Sequence, residues 1–258
     1  MQEEQQREIT RLCARTALLL LSNGAESALV VGMTTRLGLA LGAQQVECTL
    51  TVNAIVLTVI VDGYCLTTAR RLGSMGINMT IVTAVQRTVL SAEAGRLDCQ
   101  QVHKLLDKVP QSRYPAYLTV SMVALSCACF ARLSGADILS CTITFLAAFF
   151  GMIVRVKLEK KHLNALMTFS ATAFVATLLA GFFQRLGWSH TPQTMMAAAV
   201  LMLVPGFPLI NSLSDGLKGY MNMGVGRWMW ATVLTLAACL GIIFALLVLG
   251  LDAKEVLL

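Results

Sequence analysis

MMAAAVLMLVPGFPLINSLSDG, Met195 to Gly216, is the stretch on which the reading of this chain turns. Its first eight residues read as the inside of a membrane helix. The same apolar span then carries two prolines near a glycine, an asparagine, two serines and an aspartate. In lipid there is no water to satisfy backbone groups, so a span must pair them internally. Pro205 has no amide to donate and stops the helix; Gly206 and Pro208 compound the break. Such an interruption has two readings: a proline kink patched by its neighbours, or a solute site. In a solute site, half-helix ends present unpaired amides or carbonyls and a dipole to an ion or carboxylate. Two prolines and a glycine followed by Asn211, Ser212 and Ser214 favour the second, and the expected solute-binding residues are Pro205, Gly206, Pro208, Asn211, Ser212 and Asp215. Asp215 is either a proton-carrying carboxylate or the charged end of the fourth helix at the cytoplasmic face, and Asp137 has the same ambiguity at the opposite face.

Working outward, the 258 residues are 56% hydrophobic and only 13% charged, with a mean hydropathy of +0.70. This is the composition of a membrane protein rather than a soluble one. The apolar residues are unevenly spread, since the first 113 positions hold 11 of the 20 Lys and Arg and 9 of the 14 Asp and Glu. The chain therefore reads as two parts, a cytoplasmic α/β domain over 1–113 and a transmembrane domain over 114–258.

In the first part, Ile9, Leu12, Cys13, Thr16, Leu19 and Leu20 fall at helical period over Glu3 to Leu21. Asn23, with Glu26 three positions on, predicts a capping box for a second helix reaching about Leu41. Val46 to Val52 alternates, and Ala54 to Val61 is β-branched before the turn signal Asp62-Gly63, so a two-stranded hairpin is expected; Tyr64 to Arg70 continues the extended pattern. Ile81 to Ala94 and Asp98 to Lys108 return to helical spacing.

Beyond Pro110 and Pro115, five apolar segments approach the ~20 residues that a bilayer core requires: Tyr117 to Leu133, Ile138 to Val156, Leu163 to Leu186, Thr194 to Leu213 and Trp228 to Leu251. The fold class is therefore an α-helical polytopic membrane protein of five transmembrane helices with an amino-terminal α/β domain. Arg155, Lys157, Lys160 and Lys161 crowd the turn between the second and third spans, while the opposite turns offer only Arg132 and Arg185. The basic turn is cytoplasmic on the positive-inside rule, as are Lys218 and Arg227 in the last turn. The acidic, polar MQEEQQREITR is no cleavable signal, so the amino terminus is expected in the cytoplasm and Asp252-Ala253-Lys254-Glu255 on the far, periplasmic side. Tyr114, Tyr117, Trp188, Trp228 and Trp230 sit at expected interfaces, where Arg155 and Arg227 serve as anchors. Small residues such as Ser121, Ala124, Ser126, Ala128 and Ala131 permit close helix packing, within one bundle or against a partner subunit.

Catalysis finds no support. GxxxxGK[ST], GxGxxG after a strand, GxSxG and HExxH are all missing. His103, His162 and His190 lie on different elements, so no metal site is expected, and no cofactor. An intramembrane aspartyl protease would need two facing carboxylates, whereas Asp137 and Asp215 are expected at opposite faces. The eight cysteines contain no CxxC pair and read as reduced, small apolar side chains. The net charge of +6 reflects membrane orientation, not nucleic acid.

NGAESALV at 23–30, the α/β segment, and five spans carrying LVPGFPLINSLSDGLKGY at 203–220 together resemble the threonine/serine exporter family over nearly the whole chain. Single-chain members of that family carry a second, shorter membrane half. Its absence here matches the split form, in which a smaller membrane subunit supplies that half. The resemblance implies a bacterial inner-membrane secondary exporter, coupled to the proton gradient, that effluxes small carboxylate-bearing metabolites: succinate and related C4-dicarboxylates, or alternatively threonine and serine. A membrane-anchored sensor or assembly scaffold, with the break an idle kink, is the alternative of another class.

Overall fold

The computed structural model describes residues 2–73, 75–109 and 114–251. The chain divides into two compact units, Met1–Ser112 with Pro208–Trp228, and Arg113–Phe207 with Met229–Leu258.

The first unit begins with α1 (Gln2–Ser22) and α2 (Ser27–Ala40), followed by β1 (Gln45–Leu50), β2 (Ala54–Val61) and β3 (Tyr64–Arg71), then α3 (Met79–Glu93) and α4 (Cys99–Asp107). The sheet is an antiparallel meander in the order β1-β2-β3, with Cys48 opposite Leu57 and Thr58 opposite Thr67. Three strands thus stand where a two-stranded hairpin was expected. Asp62 and Gly63 both take positive φ, 49° and 81°, the geometry of a type I′ turn, and the extended run after them pairs back as β3. Ile55, Leu57 and Val59 alternate onto one face of β2 and are fully buried, as are Ile9, Leu12, Cys13 and Leu20 of α1. Asp98 caps α4 through a complete capping box with Gln101.

The capping box expected at Asn23 is not formed. Asn23 instead turns back to α1, its Nδ2 donating to Leu19 O at 2.8 Å, and α2 starts three residues later than its sequence suggested, with Glu26 at the N-cap position but making no side-chain cap bond. The reason is local: Asn23 sits immediately past Ser22, where α1 still has unpaired carbonyls to satisfy.

In the second unit lie α5 (Ala116–Leu133), α6 (Ile138–Lys160), α7 (Ala165–Arg185) and α8 (Pro192–Val200), which tightens into a 3-10 turn over Leu201–Leu203. Two further helices, α9 (Gly206–Leu217) and α10 (Met221–Leu249), each contribute residues to both units. Helices α5, α6, α7 and α10 are each long and apolar enough to cross a membrane. Pro192–Leu203 and Gly206–Leu217 qualify together but are bent by 63° at their junction, which makes four candidate spans among the described residues, or five if the bent pair is one.

The interior of this unit is rich in small side chains. Ala124, Ala131, Ala147, Ala173, Ala176 and Ala180 are fully buried, and a Cβ on Gly241 would stand 2.1 Å from the backbone oxygen of Ser170. Helices pack this closely where lipid gives no hydrophobic reward for burying large side chains. At one end of the bundle Thr191 Oγ1 donates to Asp137 Oδ1 at 3.0 Å and Arg185 Nη1 donates to Leu249 O at 2.7 Å. The α5–α6 turn, the α7–α8 turn and the last turn of α10 are tied together by these bonds. Arg113, at the expected domain boundary, and the expected periplasmic Asp252 to Glu255 lie outside the described residues.

Candidate functional site

The break itself is short. Val204 N reaches Leu201 O at 3.1 Å and Gly206 N reaches Val204 O at 2.8 Å, so two of the carbonyls freed around Pro205 are met by the chain's own turn. Pro205 is buried. Pro208, expected to deepen the break, is the third residue of α9. There its missing N–H is one that the helix could not have paired, and it helps to start the new helix rather than to disrupt the old one.

Polar residues of α9, of the turn after it and of the start of α10 meet four consecutive residues, 24–27, at the start of α2. Gly24 O accepts from Asn211 Nδ2 at 3.1 Å. Ala25 O accepts from Arg227 Nη2 at 2.9 Å. The Glu26 carboxylate accepts from Ser214 Oγ at 2.8 Å and pairs with Lys218 Nζ. Ser27 N donates to Asp215 Oδ1 at 3.0 Å. Ser212 completes the α9–α10 hairpin, its Oγ donating to Gly224 O at 2.7 Å. There is no room at Gly224 for a side chain, since a Cβ would fall 2.9 Å from the backbone oxygen of Ser212. Met223 joins the aliphatic core of the unit, and Gly226 lies against Val52.

Asp215 is fully buried, and its carboxylate serves as the cap that α2 lacks from its own sequence. Arg227 Nη1 lies 2.9 Å from Asp215 Oδ2, yet neither atom makes a hydrogen bond. The distance is that of an ion pair while the N–H direction misses the oxygen, so the two are held by charge. Ser27 Oγ is a third buried polar atom here without a partner. The Glu26 carboxyl is held below the usual range, first by its hydrogen bond to Lys218 and then by Ser214.

Of the expected site residues, Asn211, Ser212 and Asp215 thus come together in one junction, each with a polar atom committed to the protein itself. Pro205 and Gly206 shape the bend ahead of it. Glu26 and Arg227 escaped the sequence reading as members of this junction. Arg227 was expected as an interfacial anchor and is instead buried against Asp215. The signal for it was present, since an arginine and an aspartate in neighbouring apolar segments each need a partner.

A second polar cluster closes the bundle end. Asp137 caps α6 through Ser140 N at 3.2 Å and also takes the hydroxyls of Ser140 and Thr191, while Ser140 Oγ lies 2.6 Å from Ser189 Oγ. The Ser140 hydroxyl is the main cause that pulls the Asp137 carboxyl down to about 2. His103 pairs with Asp107, 2.9 Å away. The cysteines are free thiols; burial raises Cys13 to about 12 and Cys48 to about 11, which leaves neither a thiolate near neutral pH.

Several helices long and apolar enough to cross a membrane, with a bent apolar pair among them, mark a multi-pass membrane protein. The chain belongs to the putative threonine/serine exporter family, whose model matches residues 11–249. It is 48% identical over 252 residues to a protein of Escherichia coli K12 named probable succinate transporter subunit YjjP, covering 97% of this chain and 98% of that one. A protein of the same name from Klebsiella aerogenes is 47% identical over 250 residues, covering 96% and 97%. The probable threonine/serine exporter of Mycobacterium tuberculosis is 25% identical over 248 residues, 93% of this chain but 46% of that protein. No solved structure matches. These relatives are named as transporters, not as enzymes.

Proposed function

We propose that this chain is the larger subunit of a bacterial inner-membrane secondary exporter which, with a smaller YjjB-like membrane subunit, carries succinate and related C4-dicarboxylates out of the cell. The observation that carries this reading is the near full-length similarity to proteins named as probable succinate transporter subunits. The bent pair α8–α9 acts as one interrupted span, giving five. The tie between the α5–α6 turn, the α7–α8 turn and the end of α10 supports that count, because five alternating spans bring those three ends to one face. With the basic turn Arg155 to Lys161 inside, residues 1–113 are a cytoplasmic domain, 114–258 the membrane domain, and the carboxyl terminus is periplasmic. Solute is handled at the break, with Pro205, Gly206 and Pro208 setting the two half-helices and Asn211, Ser212 and Asp215 supplying polar groups on the inner half.

Deleting the gene and measuring intracellular against extracellular succinate under anaerobic growth tests the substrate; retained succinate is expected, and unchanged efflux sinks the reading. Pro205→Ala combined with Gly206→Ala is expected to leave membrane insertion intact and abolish export. A second substrate reading, threonine or serine, is favoured by the family description and by the M. tuberculosis relative's name. Loss of threonine efflux with normal succinate efflux in the deletion strain would select it.

A further inference from the structure

The junction between α2 and the α9–α10 hairpin contains two cations and two carboxylates. Lys218 is paired with Glu26, and Arg227 with Asp215. A four-carbon dicarboxylate brings two negative charges, and Lys218 and Arg227 here neutralise the same number, on Glu26 and Asp215. The donors around Asp215 are those that a free carboxylate seeks: an amide at the start of a helix on one oxygen and a guanidinium beside the other. The fit of Asp215 to them is incomplete. Its Oδ2 and Arg227 Nη1 stand 2.9 Å apart as an ion pair without hydrogen-bond alignment, and Ser27 Oγ beside them is buried without a partner. A ligand carboxylate, free to orient, would make the bonds that a side chain tethered to α9 cannot.

Resting on the succinate reading above, we propose that Lys218 and Arg227 are the two cations of a dicarboxylate site, occupied by Glu26 and Asp215 when no substrate is bound and exchanged for the substrate's two carboxylates during transport. Substrate entry then releases the α9–α10 hairpin from residues 24–27, which links solute binding to movement of the helix below the break. The site also discriminates. A hydroxy amino acid brings one carboxylate and an ammonium, so it satisfies one cation and is repelled by the other.

The test is equilibrium binding of radiolabelled succinate, with butyrate as the one-carboxylate control, to the full chain purified with its smaller subunit. Lys218 and Glu26 are partly exposed, so their variants keep the fold. Lys218→Gln is expected to weaken succinate binding about tenfold and leave butyrate unchanged, whereas Glu26→Gln, which removes the competing carboxylate, tightens succinate about tenfold. Asp215→Asn with Arg227→Gln, a pair that leaves no lone buried charge, is expected to accumulate normally and bind succinate at least about tenfold more weakly. The exchange is overturned if Lys218→Gln and Glu26→Gln fail to move succinate affinity in opposite directions, since a purely structural clamp responds alike to loss of either partner. Wild-type protein that binds no succinate would instead fell the substrate reading, and this site with it.

Discussion

The two units solve the same packing problem with opposite materials. The core of the α/β unit is made of large branched residues, Ile9, Leu12, Leu20, Leu37, Ile55 and Leu57 among them, whereas the bundle interior is rich in alanine and threonine, with a few large side chains such as Ile143, Met195 and Leu203. Water explains the first, because each buried methylene gains free energy by leaving it. Between membrane helices that gain is absent, and what remains is dispersion, which favours the closest approach of backbones. The bundle accordingly turns many of its large side chains outward, with Phe150, Phe182, Phe244 and Leu247 about half exposed or more.

The sharpest way to break this contrast is to insert one methyl group into the bundle. Gly241→Ala puts a Cβ 2.1 Å from the Ser170 carbonyl, a backbone atom that cannot step aside, so the protein is expected to vanish from the membrane fraction on an immunoblot. Removing bulk should hurt the other unit most. Leu57→Ala empties a fully buried position and is expected to cost about 2–5 kcal/mol, seen as faster proteolysis of the α/β unit, while a buried alanine in the bundle has no such bulk to lose. Acid separates the two carboxylate-bearing ends. Glu26 has a depressed folded pKa, so its contribution is complete above the unfolded value of ~4.3 and fades as pH falls through the folded one. Hydrogen exchange at residues 24–27 should therefore rise on acidification below pH ~4.3, and Glu26→Gln should flatten that rise. Asp137, held at about 2, keeps its charge over the same range. The smallest effect belongs to Thr177→Val. The Thr177 hydroxyl is buried and without a hydrogen bond, so replacing it by a methyl removes an unsatisfied polar group and is expected to raise thermal stability by about 1 kcal/mol.

Much of this was legible beforehand, because periodicity and composition are local. The spacing of Ile9, Leu12 and Leu20 announced α1, the Asp62-Gly63 signal announced a hairpin turn, and the apolar lengths announced the spans. Pro205 announced the bend. What stayed hidden was the meeting of residues 24–27 with α9 and α10, across as many as 202 positions. No local pattern encodes such a pairing. Glu26 even carried a misleading signal, since its spacing from Asn23 suits a capping box and its carboxylate is spent on Ser214 and Lys218 instead. The strand β3 was read as extended chain but not as paired, because an exposed edge strand lacks the buried alternation that marks β2.

The scattered origin of the first unit has a consequence for biosynthesis. Its early helices and sheet leave the ribosome long before Pro208–Trp228, the piece that supplies Met223 to their core and a cap to α2. That core therefore lacks its last pieces until residues 208–228 have been made, with the apolar helices α5 to α8 synthesised in between. Those residues precede most of α10, so this core has all its parts before the last helix is finished.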